Sequence, residues 1–235
     1  MALPPAAVFL GWLLAPFLLQ AGILPVGRII DPVVCLRDAD HSYALYLPPG
    51  YTAERAWPVL YCLDPGGRGQ APVALFREAA ERFGWILVGS NNLRNGPWGE
   101  ILAAARAFWS DTRARLAIDD SRVYAAGFSG GARAACGLGR LLSIRLAGVI
   151  GCGAGLPEWL EPADLSGVPW FGTVGLRDFN YGEMQELDFW LRRLGTPARL
   201  RIFHGEHRWP PPAVALEAVA WLEERSRPAA DQGGR

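Results

Sequence analysis

The chain has 235 residues, 51% of them hydrophobic and 20% charged, the size and make-up of one packed domain rather than two. Its 23 basic residues balance its 23 acidic ones, which argues against a nucleic-acid partner. Every basic residue is arginine, and the absence of lysine excludes a phosphate-loop lysine, a Schiff base and a Ser–Lys dyad.

The stretch 6–21 is apolar and uncharged, and no charged residue precedes Arg28. It resembles a secretory signal occupying 1–21, with an apolar core over 8–19 and a cut after Ala21. Pro4, Pro5 and Pro16 interrupt it, no basic residue follows Met1, and its continuous apolar length falls short of the about 20 residues of a membrane span. The expected location is secreted or periplasmic. The competing readings are a cytoplasmic protein with a mis-assigned start and an uncleaved membrane anchor.

Residues 28–36 and 42–47, rich in Ile, Val, Tyr and Leu, read as two edge strands. Residues 57–64 form a core strand that feeds a glycine-rich loop at 65–69. Val73, Phe76, Ala80 and Phe83 recur at helical spacing over 71–84, and a strand at 85–90 follows, ending in Asn91-Asn92. The stripe Ile101, Leu102, Ala105, Phe108 and Trp109 marks the clearest helix, at 97–116. A turn at 118–121 leads into the strand at 123–128 and an Ala-rich helix at 131–142. Further on come strands at 146–152, 168–175 and 198–203 and helices at 183–194 and 211–225. Residues 156–167 read as a loop or short helix and 226–235 as a polar tail. Strands alternate with helices from Trp57 onward. The expected fold class is therefore α/β: one domain over 28–225, a mostly parallel central sheet with helices on both faces and no large cap domain.

Functional residues in such a sheet gather where strands end. Gly127-Phe128-Ser129-Gly130-Gly131 matches G-x-S-x-G at a strand-to-helix turn, a pattern that pushes a serine Oγ into the open. Ser129 is the candidate nucleophile, and the Gly130 N–H opening the helix is a candidate oxyanion donor. The second donor is expected from Gly66 or Gly67, because Pro65 has no N–H. A serine hydroxyl needs a base. His207, in a turn after the last strand, is favoured over His204 at the strand end, read as packed, and over His41, near an edge strand. Asp178 follows its own strand and suits the role of holding the histidine tautomer; its competing reading is a helix cap. The order Ser129, Asp178, His207 is then the one expected of this arrangement. A zinc site at His204, Glu206 and His207 is disfavoured, because extended residues three apart face opposite sides. Asn91, Asn92, Phe128, Trp209 and Arg133 are the expected substrate walls, Arg133 with a structural ion pair as its alternative. Cys35, Cys62, Cys136 and Cys152 read as small buried hydrophobes, or as two disulfides in an exported protein.

The chain resembles the α/β-hydrolase superfamily, and within it the secreted esterases grouped with polyhydroxybutyrate depolymerases and feruloyl esterases. The residues that carry the likeness are Asp120-Ser121-Arg122-Val123-Tyr124, the turn 127–131, Gly175-Leu176-Arg177-Asp178 and Gly205-Glu206-His207-Arg208-Trp209-Pro210. With the strand–helix order they span about 42–225. The resemblance implies hydrolysis of a small-molecule carboxylic ester through an acyl-serine, without metal or cofactor. Two departures stand out. Leu63-Asp64-Pro65-Gly66-Gly67 replaces the usual Leu-His-Gly, and Ser-Gly-Gly replaces Ser-Met-Gly or Ser-Gln-Gly. Two other functions fit the same residues: a serine peptidase of this fold and a catalytically silent binding protein. Because 156–167 is too short for a cap, the site is expected to be open and to favour short acyl or small aromatic esters.

Overall fold

The computed structural model describes residues 24–226. The apolar stretch at 1–21 and the tail beyond Ser226 lie outside the described residues, and Ser226 itself closes the last helix rather than opening the tail. Among the described residues, no helix is long and apolar enough to cross a membrane.

Among the described residues, eight strands form one open sheet: β1 (Ile29–Cys35), β2 (Asp38–Tyr46), β3 (Trp57–Leu63), β4 (Ile86–Ser90), β5 (Ile118–Phe128), β6 (Gly148–Cys152), β7 (Trp170–Gly175) and β8 (Ala198–Phe203). Their spatial order is β1-β2-β4-β3-β5-β6-β7-β8. β2 runs antiparallel to both of its neighbours, and every pair from β4 to β8 is parallel. The connecting helices are α1 (Gln70–Phe83), α2 (Trp98–Arg115), α3 (Gly130–Leu142), α4 (Tyr181–Arg193) and α5 (Pro212–Ser226).

The central strands read as continuous apolar runs because both sheet faces are covered. Alternate residues divide between two core layers. Trp57, Val59, Tyr61 and Leu63 of β3 pack with Ile101, Phe108, Ala134, Met184 and Leu187 from α2, α3 and α4. Leu60 and Cys62 of the same strand pack on the other side, with Val73 and Phe76 of α1 and Ala215, Val219 and Leu222 of α5. Each large side chain so buried contributes about 1.5–3 kcal/mol. All four cysteines are buried and free, so the disulfide alternative is not formed. Burial pushes the thiols of Cys136 and Cys152 up to about 12.

The largest departures from the expected boundaries are at the starts of β2, which begins at Asp38 rather than at 42, and of β5. The polar run at 118–121 is a bulged extension of β5, not a turn. The Trp57 N–H reaches the Ala117 carbonyl at 2.8 Å, and Ser121 folds locally onto the Asp119 carboxylate. Pairing with β3 overrides the turn chemistry.

From β3 the chain moves outward to β4 and then returns past β3 to β5. Successive loops therefore diverge at the carboxyl ends of β3 and β5, and the crevice between them is where α/β sheets place their sites.

Candidate active site

β5 ends in a turn that only particular residues can make. Ser129 has φ 53° and ψ −123°, a region that non-glycine residues rarely enter. The flanking glycines are required by close approach. A Cβ at Gly127 would fall 1.9 Å from the Gly131 carbonyl oxygen, and one at Gly131 would fall 2.1 Å from the Leu63 carbonyl oxygen. The turn is thus pressed against β3 and its own helix, and Oγ projects beyond the sheet edge.

Two further strand ends converge on that serine. The His207 Nε2 lies 2.8 Å from the Ser129 Oγ, and its Nδ1 lies 2.9 and 3.0 Å from the two Asp178 oxygens. With Nδ1–H donating to the carboxylate, Nε2 is left to accept the serine hydroxyl. The Asp178 side chain is wholly buried, and Oδ1 also accepts the Asn180 N–H at 2.9 Å. The imidazole sits between two rings, Phe128 at 4.6 Å and Phe179 at 4.2 Å between centroids. Phe128 is buried, whereas Phe179 is 78% exposed and forms an aromatic rim. His204 is exposed at the end of β8 rather than packed, and His41 lies within β2, 2.8 Å from Asp38. Glu206 pairs with Arg177, and among the described residues no three His, Cys, Asp or Glu side chains converge as a ligand set.

The expected second oxyanion donors are spent. Asp64, fully buried at the end of β3, accepts the Gly66 N–H at 2.9 Å, and the Gly67 N–H donates to the Asp64 carbonyl at 3.0 Å. An aspartate two residues ahead of a glycine closes such a turn on itself. The same carboxylate accepts Arg68 Nε at 2.9 Å and Nη2 at 3.2 Å, and the Trp209 indole N–H at 2.9 Å. Burial works to raise this carboxyl, but the hydrogen bonds from Arg68, Trp209 and Gly66 outweigh it and hold it below the ordinary aspartate range. Gly130 opens α3, so no carbonyl within the helix can take its N–H.

Three of the expected walls do other work. Asn91 accepts the Gly69 N–H and donates to Asp31 and Ser42, while Asn92 accepts the Ser42 N–H and donates to the Asp40 carbonyl. Asn91 ties β1 and β2 to the end of β4 through the Asp31 and Ser42 side chains, and Asn92 satisfies backbone groups of β2 at Ser42 and Asp40. Arg133 forms a two-pronged ion pair with Glu183 at 2.7 and 2.8 Å, the alternative considered for it. Trp209 lies near the histidine, packed on Phe128 and Phe76, and its tie to Asp64 makes it a brace for the turn that carries His207. Sequence reasoning missed Phe179 and the role of Asp64. The signals were present: an apolar aromatic directly after Asp178, and an aspartate where the resembled esterases have histidine.

The sheet order, the single antiparallel inner strand and the elbow together are the α/β-hydrolase fold. No family model matches the chain, and no curated protein matches it by sequence. Solved structures do. The chain is similar to the S-formylglutathione hydrolase of Staphylococcus aureus, with a TM-score of 0.64, 11% identity and coverage of 86% of this chain and 100% of that one. It is similar to a ferulic acid esterase, with a TM-score of 0.65, 18% identity and 85% and 98% coverage. A thermostable carboxylesterase cloned from a metagenomic library aligns at a TM-score of 0.65, 13% identity and 89% and 93% coverage. At these identities the likeness establishes the fold.

Proposed function

We propose that the protein is a serine hydrolase that cleaves carboxylic esters through an acyl-serine. The observation that carries this is the hydrogen-bonded chain from Ser129 through His207 to Asp178, set on a strained elbow. Ser129 Oγ attacks the ester carbonyl carbon as His207 Nε2 takes the hydroxyl proton. Asp178 stabilises the imidazolium through Nδ1–H, and the Gly130 N–H donates to the oxyanion. The tetrahedral intermediate collapses, the C–O bond to the leaving alcohol breaks, and His207 returns the proton to that alcohol. Water, deprotonated by the same histidine, then releases the acid and restores Ser129.

The site takes short acyl or small aromatic esters. The segment 156–167 contributes only a short 3₁₀ turn, Pro162–Leu165, and the exposed Phe179 ring offers a stacking surface beside the base. Two of the similar structures, the ferulic acid esterase and an arylesterase, are named for aromatic esters. The test is labelling by a fluorophosphonate, followed by turnover of p-nitrophenyl esters from acetate to palmitate. Labelling with kcat/KM highest among the short acyl chains is the expected result. An unlabelled, inactive protein would end the hydrolase reading, and a long-chain maximum with activation at an oil interface would end the open-site reading. Cleavage of aminoacyl amides in preference to esters would make it a peptidase.

A further inference from the structure

We propose that the side-chain carboxamide of Asn95 is the second donor to the oxyanion formed at Ser129. This assignment rests on the serine-hydrolase reading above.

A developing oxyanion is stabilised by hydrogen-bond donors placed beside it, and one donor alone leaves much of that stabilisation unused. The Gly130 N–H supplies one. The loop after β3 does not supply the other from its glycines: Pro65 has no N–H, and the N–H groups of Gly66, Gly67 and Gly69 go to the Asp64 carboxylate, the Asp64 carbonyl and the Asn91 side chain. With these glycine N–H groups engaged, a donor other than the loop glycines is called for.

Asn95 stands at the right place. Its backbone is anchored to the loop after β3, where its N–H donates to the Pro65 carbonyl at 2.9 Å and its neighbour Arg94 bridges to Gly66. Its side chain crosses to the elbow. A Cβ built on Gly130 would lie 1.8 Å from the Asn95 Oδ1, 2.8 Å from Cγ and 3.4 Å from Nδ2. The carboxamide therefore rests directly on the residue whose N–H is the first donor. It is exposed and, among the described residues, has no hydrogen-bond partner. With no partner to fix its orientation, rotation about its last torsion turns the NH₂ group towards a nearby negative oxygen.

The residue at 130 supports the same assignment. Gly130 is not among the residues with positive φ, so no backbone conformation demands glycine there. The space demands it, because any side chain at 130 would expel the Asn95 amide. This accounts for Ser-Gly-Gly in place of the bulkier elbow of the esterases the chain resembles.

The experiment compares the full chain with Asn95→Ala, Asn95→Asp and Gly130→Ala in p-nitrophenyl acetate turnover, binding of a phenylboronic acid and thermal unfolding. A boronate forms a tetrahedral adduct on the serine and places an oxygen where the oxyanion would sit. Asn95→Ala should lower kcat about 10²-fold. Its KM should stay within a factor of two of the unaltered chain, and boronate affinity should fall in step with kcat. Asn95→Asp, which keeps the size and loses the donor, should fall at least as far. Gly130→Ala should show the same signature. Unfolding temperatures of the Asn95 variants should stay near that of the unaltered chain, since the side chain is exposed and unbonded. A kcat for Asn95→Ala within threefold of the unaltered chain, a change in KM alone, or an active Asn95→Asp would overturn the assignment. An unaltered chain that neither turns over ester nor takes up fluorophosphonate would instead remove the hydrolase reading, and the donor assignment with it.

Discussion

The turn after β5 and the turn after β3 leave adjacent strands at one sheet edge, and both are glycine-rich and lead into a helix. At the β5 turn, the crowding of Gly127 and Gly131 forces Ser129 into a rare conformation and leaves its Oγ available to His207. At the β3 turn, Asp64 gathers the local N–H of Gly66, the Arg68 guanidinium and the Trp209 indole onto one buried carboxylate. The first turn leaves a hydroxyl and an N–H without a local partner; the second engages its donors and braces the turn that carries the histidine. Glycine content alone therefore does not make an oxyanion site. What decides is whether a side-chain acceptor sits within reach of the freed N–H groups.

Mutations can break that contrast, and the largest effect belongs to the exposed turn. Ser129→Ala should abolish fluorophosphonate labelling and lower kcat by about 10⁶-fold, and His207→Ala should match it because such residues act as a unit. Retained labelling of a folded Ser129→Ala chain would contradict the role of the elbow. Asp178→Asn should fold normally and lose about 10⁴ in kcat, since the amide favours the wrong histidine tautomer. Steady-state kinetics alongside circular dichroism would check both halves of that statement.

The braced turn should respond in stability before chemistry. Asp64→Asn should cost about 1–3 kcal/mol through weakened bonds to Arg68 and Trp209. Chemical denaturation at neutral pH would measure it. The sign of its pH dependence follows from the lowered carboxyl: its stabilisation is complete above the ordinary aspartate range and is lost as pH falls through the folded value. The stability gap between the unaltered chain and Asp64→Asn should therefore narrow on acidification, and a gap that widens would refute the account. The smallest effect is expected at the half-exposed Arg133–Glu183 pair, where Arg133→Ala should cost about 1 kcal/mol or less. A rise in KM without a stability loss would return Arg133 to the substrate wall.

Local features were legible in the chain itself. The apolar runs of β3 and β5 and the periodic faces of α1 and α2 announce a two-faced sheet because burial of both faces is written into consecutive residues. Ser129, Asp178 and His207 could be placed on one edge before any contact was known, because each directly follows a strand and parallel strands end on the same side. The fates of hydrogen-bonding groups were not legible in this way. Asn91 and Asn92 satisfy β1 and β2, Gly66 and Gly67 bond to their own turn, and Asn95 reaches an elbow that lies beyond β3 from its own strand. Periodicity reports which side of an element is buried. Which donor meets which acceptor depends on groups brought together from distant parts of the chain, and only the packed sheet and its loops decide that.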